Sequence, residues 1–202
     1  MSASLPDPLR EGIEMNHLEI FCRQIRARSD DNKRAFSLVY RECIWSQVIA
    51  ILRQELDSMI RVIYLLSITD MLYRNDLIAA SVEGRKWTAK GTKKRITDRE
   101  MVELANKLNG WTESVYRFGC GFIHLSSFHD YQDRDPLDMI SSDEKNAILQ
   151  HMRNYHGGPH ELNPKMKDLY PYQPMVLDKI ASNLECYVEK LEAQAMISVG
   201  NI

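Results

Sequence analysis

A chain of 202 residues, 44% of them hydrophobic and 27% charged, is long enough to bury a core and reads as one domain over 1–202. Only 9 Gly and 7 Pro are present, which excludes collagen-like and low-complexity architectures and favours helix. With 26 Lys and Arg against 28 Asp and Glu, the net charge is -2, so polyanion binding would have to come from a local patch.

Residues 1–8, which include Pro6 and Pro8, predict a flexible lead-in. Ile13, His17, Ile20, Phe21 and Ile25 then recur at helical spacing to about Arg28. From Lys33 there is no Gly or Pro before Gly84, and Phe36, Tyr40, Ile44, Val48, Leu52, Leu56, Met59, Ile63 and Leu66 step by three and four. That run predicts one very long helix or two in tandem, with a break near Asp70 or Asn75. Within it Arg53, Glu55, Asp57 and Arg61 interrupt the most apolar stretch, so no membrane span is expected. Asp57 and Arg61, four apart, either pair with each other or face a cleft.

Residues 84–96 form a basic loop in which Arg85, Lys86, Lys90, Lys93, Lys94 and Arg95 surround Trp87. It is either a solvated loop or a tract that follows a phosphate backbone while the indole stacks on a base. Thr97 and Glu100 supply a capping box for a helix that Asn109-Gly110 ends or kinks. A further helix is predicted from Trp111 to Tyr131, stopping before Asp135-Pro136. Ser141 and Glu144 offer a second capping box, for a helix reaching Gly157-Gly158-Pro159. Residues 158–174 read as a Pro-rich connection, a last helix carries Val176, Ile180, Leu184, Val188 and Leu191, and 197–202 read as a frayed tail. No alternating strand pattern occurs, so the expected fold is an all-α antiparallel bundle of five to seven helices. Four cysteines without a Cys-x-x-Cys pair and the opening Met-Ser-Ala-Ser point to a cytoplasmic protein.

The segment 111–131 is the most unusual. On a helical wheel Val115, Phe118, Phe122 and Leu125 share an apolar seam. A second stripe holds Glu113, Ser114, Arg117, Cys120, Gly121, His124, Phe128 and Tyr131, which places Arg117 and His124 two turns apart on one face. Gly119 and Gly121 each cost about 1 kcal/mol relative to Ala in a helix interior, so something must approach closely there. A neighbouring helix would leave Arg117 simply paired with Glu113. A phosphate would instead be held by the guanidinium while the imidazole moves protons.

Arg117-Phe118-Gly119-Cys120-Gly121-Phe122-Ile123-His124, inside a late helix of an all-α chain, resembles the Arg-x6-His motif of the HEPN superfamily, with a likeness in helix arrangement over about 35–195. Many members of that family are metal-independent ribonucleases of defence and toxin systems. The family often has a polar residue directly after the Arg, where this chain has Phe118. The resemblance implies an endoribonuclease that uses no metal or other cofactor, with Arg117 and His124 catalytic. It also implies a homodimer formed through this helix, RNA as substrate and a cognate antitoxin as a further partner. Ser127, Tyr131, Arg85, Lys86, Trp87, Lys93, Lys94 and Arg95 would then bind substrate. A non-catalytic nucleotide- or protein-binding module is the alternative. A metal site on His151, His156 and His160 is a weaker one, because the first two, five positions apart, are poorly spaced for one helix face.

Overall fold

In the computed structural model, which describes residues 16–198, seven long α-helices and one single-turn helix build the chain, with no strand among the described residues. They are α1 (His17–Arg41), α2 (Trp45–Ser67), α3 (Met71–Val82), α4 (Asp98–Asn109), α5 (Thr112–Ile123), α6 (Ser142–His156), α7 (Met166–Leu169) and α8 (Gln173–Glu192). The all-α expectation is met. The predicted lead-in and Ile13 lie outside the described residues.

The arrangement follows from α2. Its apolar residues occupy nearly the whole circumference, from Val48 and Leu52 to Ile60, Ile63 and Leu66, so it cannot lie on a surface. It runs through the middle, and α1, α4, α5 and α8 pack around it. Each Leu or Ile buried this way stabilises the fold by about 1.5–3 kcal/mol, so α2 is the largest apolar contributor.

Local signals set most element ends. The Thr97 hydroxyl accepts from the Glu100 N–H while the Glu100 carboxylate accepts from the Thr97 N–H at 2.7 Å, completing the capping box of α4. Those bonds, with Lys94, hold the Glu100 carboxyl down at about 2. Gly110 closes α4 in the left-handed region at φ 73°, and Gly157 closes α6 at φ 75°. Asp70 caps α3 by accepting from the Tyr73 N–H at 3.1 Å, which is the expected break.

Three boundaries differ from expectation. The first helix does not end near Arg28 but continues to Arg41, and the chain turns at Cys43, which takes φ 56° without any Gly or Pro. Aromatic packing favours the turn: Trp45 meets Tyr40 edge-on at 5.5 Å and stacks on Tyr170 at 3.7 Å. That same stack orders part of the 158–174 connection, which contains α7 and a 3-10 turn at Tyr170–Tyr172. The tail is fastened as far as Ile197. The buried Arg74 guanidinium donates to the Ala195 carbonyl at 2.8 Å and to that of Gln194 at 3.3 Å, and the Ile197 N–H reaches the Leu66 carbonyl at 3.0 Å. Residues 199–202 lie outside the described residues.

Polar side chains of α2 are also satisfied inside. Glu55, fully buried, accepts from the Ser29 hydroxyl and, at 2.7 Å, from the Asn32 amide, both on α1 and both buried. Asn32→Ala would leave one carboxylate oxygen without its donor in the core, at a cost of about 1–3 kcal/mol. Urea unfolding should show a midpoint lowered accordingly. A midpoint no lower than that of an exposed α1 substitution such as Gln24→Ala would contradict this reading of the network.

Candidate functional site

Two neighbours set the position of α5. At its start the Asn106 side chain accepts from the Glu113 N–H at 3.2 Å, tying the first turn back to α4. Along its length Gly119 faces the aliphatic stem of Arg53 on α2, where an added Cβ would lie 2.7 Å from the Arg53 Cβ. The Arg53 guanidinium lies over the Tyr116 ring at 3.3 Å and reaches Asp57 at 3.7 Å, while its Nε has no hydrogen-bond partner. Burial, against the opposing charge of Arg53, pushes the Tyr116 hydroxyl up to about 12.

The helix is shorter than predicted. It ends at Ile123, with His124 as an extended C-cap residue whose N–H still reaches the Cys120 carbonyl at 3.2 Å. Ser126 is the stop signal: its hydroxyl donates to the Gly121 carbonyl at 2.6 Å and accepts from the Phe128 N–H at 3.1 Å. One side chain thus satisfies an end carbonyl of α5 and opens the 3-10 turn Ser127–Asp130. The turn throws Phe128 back onto Gly121, where an added Cβ would lie 2.3 Å from the ring, and Phe128 packs with Phe118 and Phe122 at 5.5 and 5.4 Å.

Three expectations change accordingly. Leu125 does not join the apolar seam but stands 95% exposed. Ser127 and Tyr131 lie beyond the end of α5, so they do not continue the face of Arg117: Ser127 is exposed, and Tyr131 packs partly into the core. Phe128 leaves the outer stripe. His129 accepts from the Ser126 N–H at 3.4 Å, a capping role in keeping with a boundary histidine.

Arg117 and His124 are both exposed. Arg117 lies within α5, whereas His124, seven positions on, is the extended C-cap residue beyond its last turn and leaves the regular helical wheel. Arg117 pairs with Glu113 at 3.6 Å, the guanidinium remaining 65% exposed. Ile123 and Leu125, on either side of His124, are exposed as well.

The basic loop is tighter than a free loop. Thr88 and Arg95 form an antiparallel bridge, and the Ala89 N–H reaches the Lys94 carbonyl at 2.8 Å. Trp87 is not available for stacking on a base, being only 7% exposed with its indole N–H on the Ser81 hydroxyl at 2.8 Å. Arg85, Lys90 and Lys94 are paired with Glu83, Asp70 and Glu100. Lys86, Lys93 and Arg95 have no carboxylate partner among the described residues and are exposed.

His151, His156 and His160 do not form a ligand set, and no group of three His, Cys, Asp or Glu able to hold a metal gathers among the described residues. His151 and His156 instead line a small apolar hollow with Trp111, Tyr155 and Lys179. Compared with protein-family models, curated proteins and solved structures, the chain matches none.

Two predictions follow from this packing. Gly121→Ala should destabilise the chain by forcing the Phe128 ring aside, and Phe128→Ala in the same chain should cost less than the sum of the two single changes. Strict additivity in chemical unfolding would disprove the contact. Burial lowers the proton affinity of His151 and His156, and Lys179 lowers that of His156 further. The unfolded chain therefore binds protons more readily below the ordinary value of about 6.5. Stability from these groups is complete above that value and is lost as pH falls through it, so the melting temperature should drop between pH 7.5 and 5.5. His151→Gln with His156→Gln should flatten that slope, and an unchanged slope would refute the assignment.

Proposed function

We propose that the protein is a metal-independent endoribonuclease of HEPN type, acting in a defence or toxin context. The observation that supports the reading is that Arg117, on the outer face of α5, and His124, the residue that caps its C-terminal end, are both exposed. Cleavage of RNA without a metal begins with attack of a 2′-hydroxyl on the adjacent phosphorus. The developing phosphorane gains negative charge while one oxygen loses a proton and the leaving 5′-oxygen gains one. Arg117 supplies fixed positive charge and paired donors, and His124 transfers a proton.

An open face gives one wall of a cleft. A second copy of the chain, laid against the first through α5, would supply the other wall with a second arginine and histidine. Ile123 and Leu125 are the exposed apolar side chains available for that contact. Gly121 does not serve it, because the space it opens is filled by Phe128 of the same chain. Lys86, Lys93 and Arg95, with Arg85 and Lys94, would hold the RNA strand outside the cleft. A cognate antitoxin covering Arg117 and His124 belongs to the same proposal, as does a cytoplasmic setting.

One observation favours a second reading, a non-catalytic nucleotide- or protein-binding module. Close neighbours within the chain explain both glycines, and Glu113 already pairs Arg117. The two readings part on one experiment. Purified protein incubated with RNA in excess chelator should leave 2′,3′-cyclic phosphate ends, and Arg117→Ala or His124→Ala should each lower the rate by about a hundredfold or more. Leu125→Asp should lower both dimer content and rate. Cleavage that both alanine variants retain in full, or no cyclic ends, would favour the binding module.

A further inference from the structure

The hollow between α1, α2 and the 84–96 loop has a volume of about 460 Å³. Five cationic side chains line it: Arg28 from α1, Arg61 from α2, and Arg85, Lys86 and Arg95 from the loop, against a single lining carboxylate, Asp98. Phe21, Ile25 and Trp87, all buried, form an apolar floor. The sequence pattern gathers only the loop residues; Phe21, Ile25, Arg28 and Arg61 join them through the fold.

The charge is only partly neutralised. Arg85 pairs with Glu83 at 2.6 Å, and Asp57 is shared by three guanidinium groups, with Arg61 at 3.1 Å, Arg28 at 3.6 Å and Arg53 at 3.7 Å. Arg61 is held by a second bond to Asp98 at 3.0 Å, so its planar fork is fixed before any ligand arrives. Lys86 and Arg95 stand at the same hollow without a carboxylate partner among the described residues. Such an excess of fixed and free cations in a concavity calls for an anion with several oxygens, and phosphate is the group that Arg forks and Lys ammoniums both suit. The apolar edges at its base suit a less hydrated body attached to the phosphate, and Asp98 offers an acceptor for an amino or hydroxyl group. The volume lies within the roughly 300–1,000 Å³ of small-ligand sites.

We propose that this hollow binds a nucleoside phosphate, either free or as one unit of an RNA strand. The phosphate sits among Arg28, Arg61, Lys86 and Arg95, and the nucleoside rests in the hollow against the edges of Phe21, Ile25 and Trp87, without stacking on the buried indole. This deepens the RNA-holding role given to the loop and rests on that reading only for the choice of a nucleotide; it does not require Arg117 or His124 to be catalytic.

The test is calorimetric titration of the full chain with three probes: ATP, inorganic triphosphate, and a 2′-O-methyl octaribonucleotide that cannot undergo 2′-hydroxyl attack. ATP or the octamer should bind, and Lys86→Glu or Arg95→Glu should each weaken binding by about tenfold or more, one charge-assisted contact being worth that factor. Lys167→Glu, an equal change in net charge on α7 outside the hollow, should change it less than about twofold. Binding by the octamer alone assigns the site to a strand, and binding by ATP assigns it to the free nucleotide. The proposal is overturned if neither probe binds at millimolar concentration, if inorganic triphosphate binds as tightly as both, or if Lys167→Glu weakens binding as much as Lys86→Glu. His124→Ala should lower cleavage by about a hundredfold or more and leave the titration unchanged, so cleavage retained in full with intact binding would remove the catalytic assignment of His124 and keep the hollow.

Discussion

A helix buried over most of its circumference cannot leave a charge without polar partners, and α2 carries Arg53, Glu55, Asp57 and Arg61 within nine residues of a mostly buried run. Removing one partner of a buried charged pair typically costs about 3–5 kcal/mol, far more than one surface contact contributes. The helices around α2 are therefore constrained by what these side chains need as well as by apolar fit. Glu55 draws Ser29 and Asn32, which fixes the rotation of α1 about its axis. Arg61 bonds Asp98 in the first turn of α4, and Arg53 lies over Tyr116 of α5.

The two candidate surfaces inherit this arrangement. Arg53 packs its stem against α5, and only a residue without a Cβ fits opposite it, which explains Gly119. With Gly119, Phe118 and Phe122 turned inward, Arg117 is left on the outer face. At the other end of the same polar line, Asp57 is outnumbered by arginines, and the surplus opens into the hollow beside the basic loop. A net charge of -2 for the whole chain thus coexists with a strongly cationic concavity, because the field near a surface is set by the nearest groups and screened beyond roughly 10 Å.

Much of the fold was legible in the sequence because its signals are local. The Thr97-to-Glu100 box, Gly110, Ser141 and Gly157 mark ends by bonds within a few residues, and the sequence placed these ends correctly, although at Ser141 only the hydroxyl's bond from the Glu144 N–H forms and not the full box expected. The end of α5 was missed because its stop signal is a serine that bonds backward to Gly121 and forward to Phe128, a pattern that residue spacing alone does not separate from a continuing helix. The turn at Cys43 and the fastening of residues 194–197 depend on Trp45, Tyr170 and Arg74, partners far away in sequence. Of the candidate site, the exposure of Arg117 was foreseeable from the wheel, whereas His124 is exposed as a capping residue past the end of α5. The burial of Trp87 and the convergence of Arg28 and Arg61 on the loop were not foreseeable, since both are tertiary.

The geometry of α5 also bears on how an exposed guanidinium could take part in catalysis. Two unit charges 4 Å apart interact by about 1 kcal/mol in water and by about 4 kcal/mol at the effective dielectric near a protein surface. The Arg117–Glu113 pair is of the exposed i, i+4 kind, and such pairs contribute only about 0.3–0.5 kcal/mol, so a phosphate can displace Glu113 at little cost. For the same reason Arg117 on an open face would stabilise a phosphorane weakly. Covering the face is what raises the value of the charge, and the exposed Ile123 and Leu125 beside His124 give a second copy apolar surface to cover. In the proposed enzyme, assembly and catalysis are then one requirement: the contact that excludes water is also the contact that gives the arginine its strength.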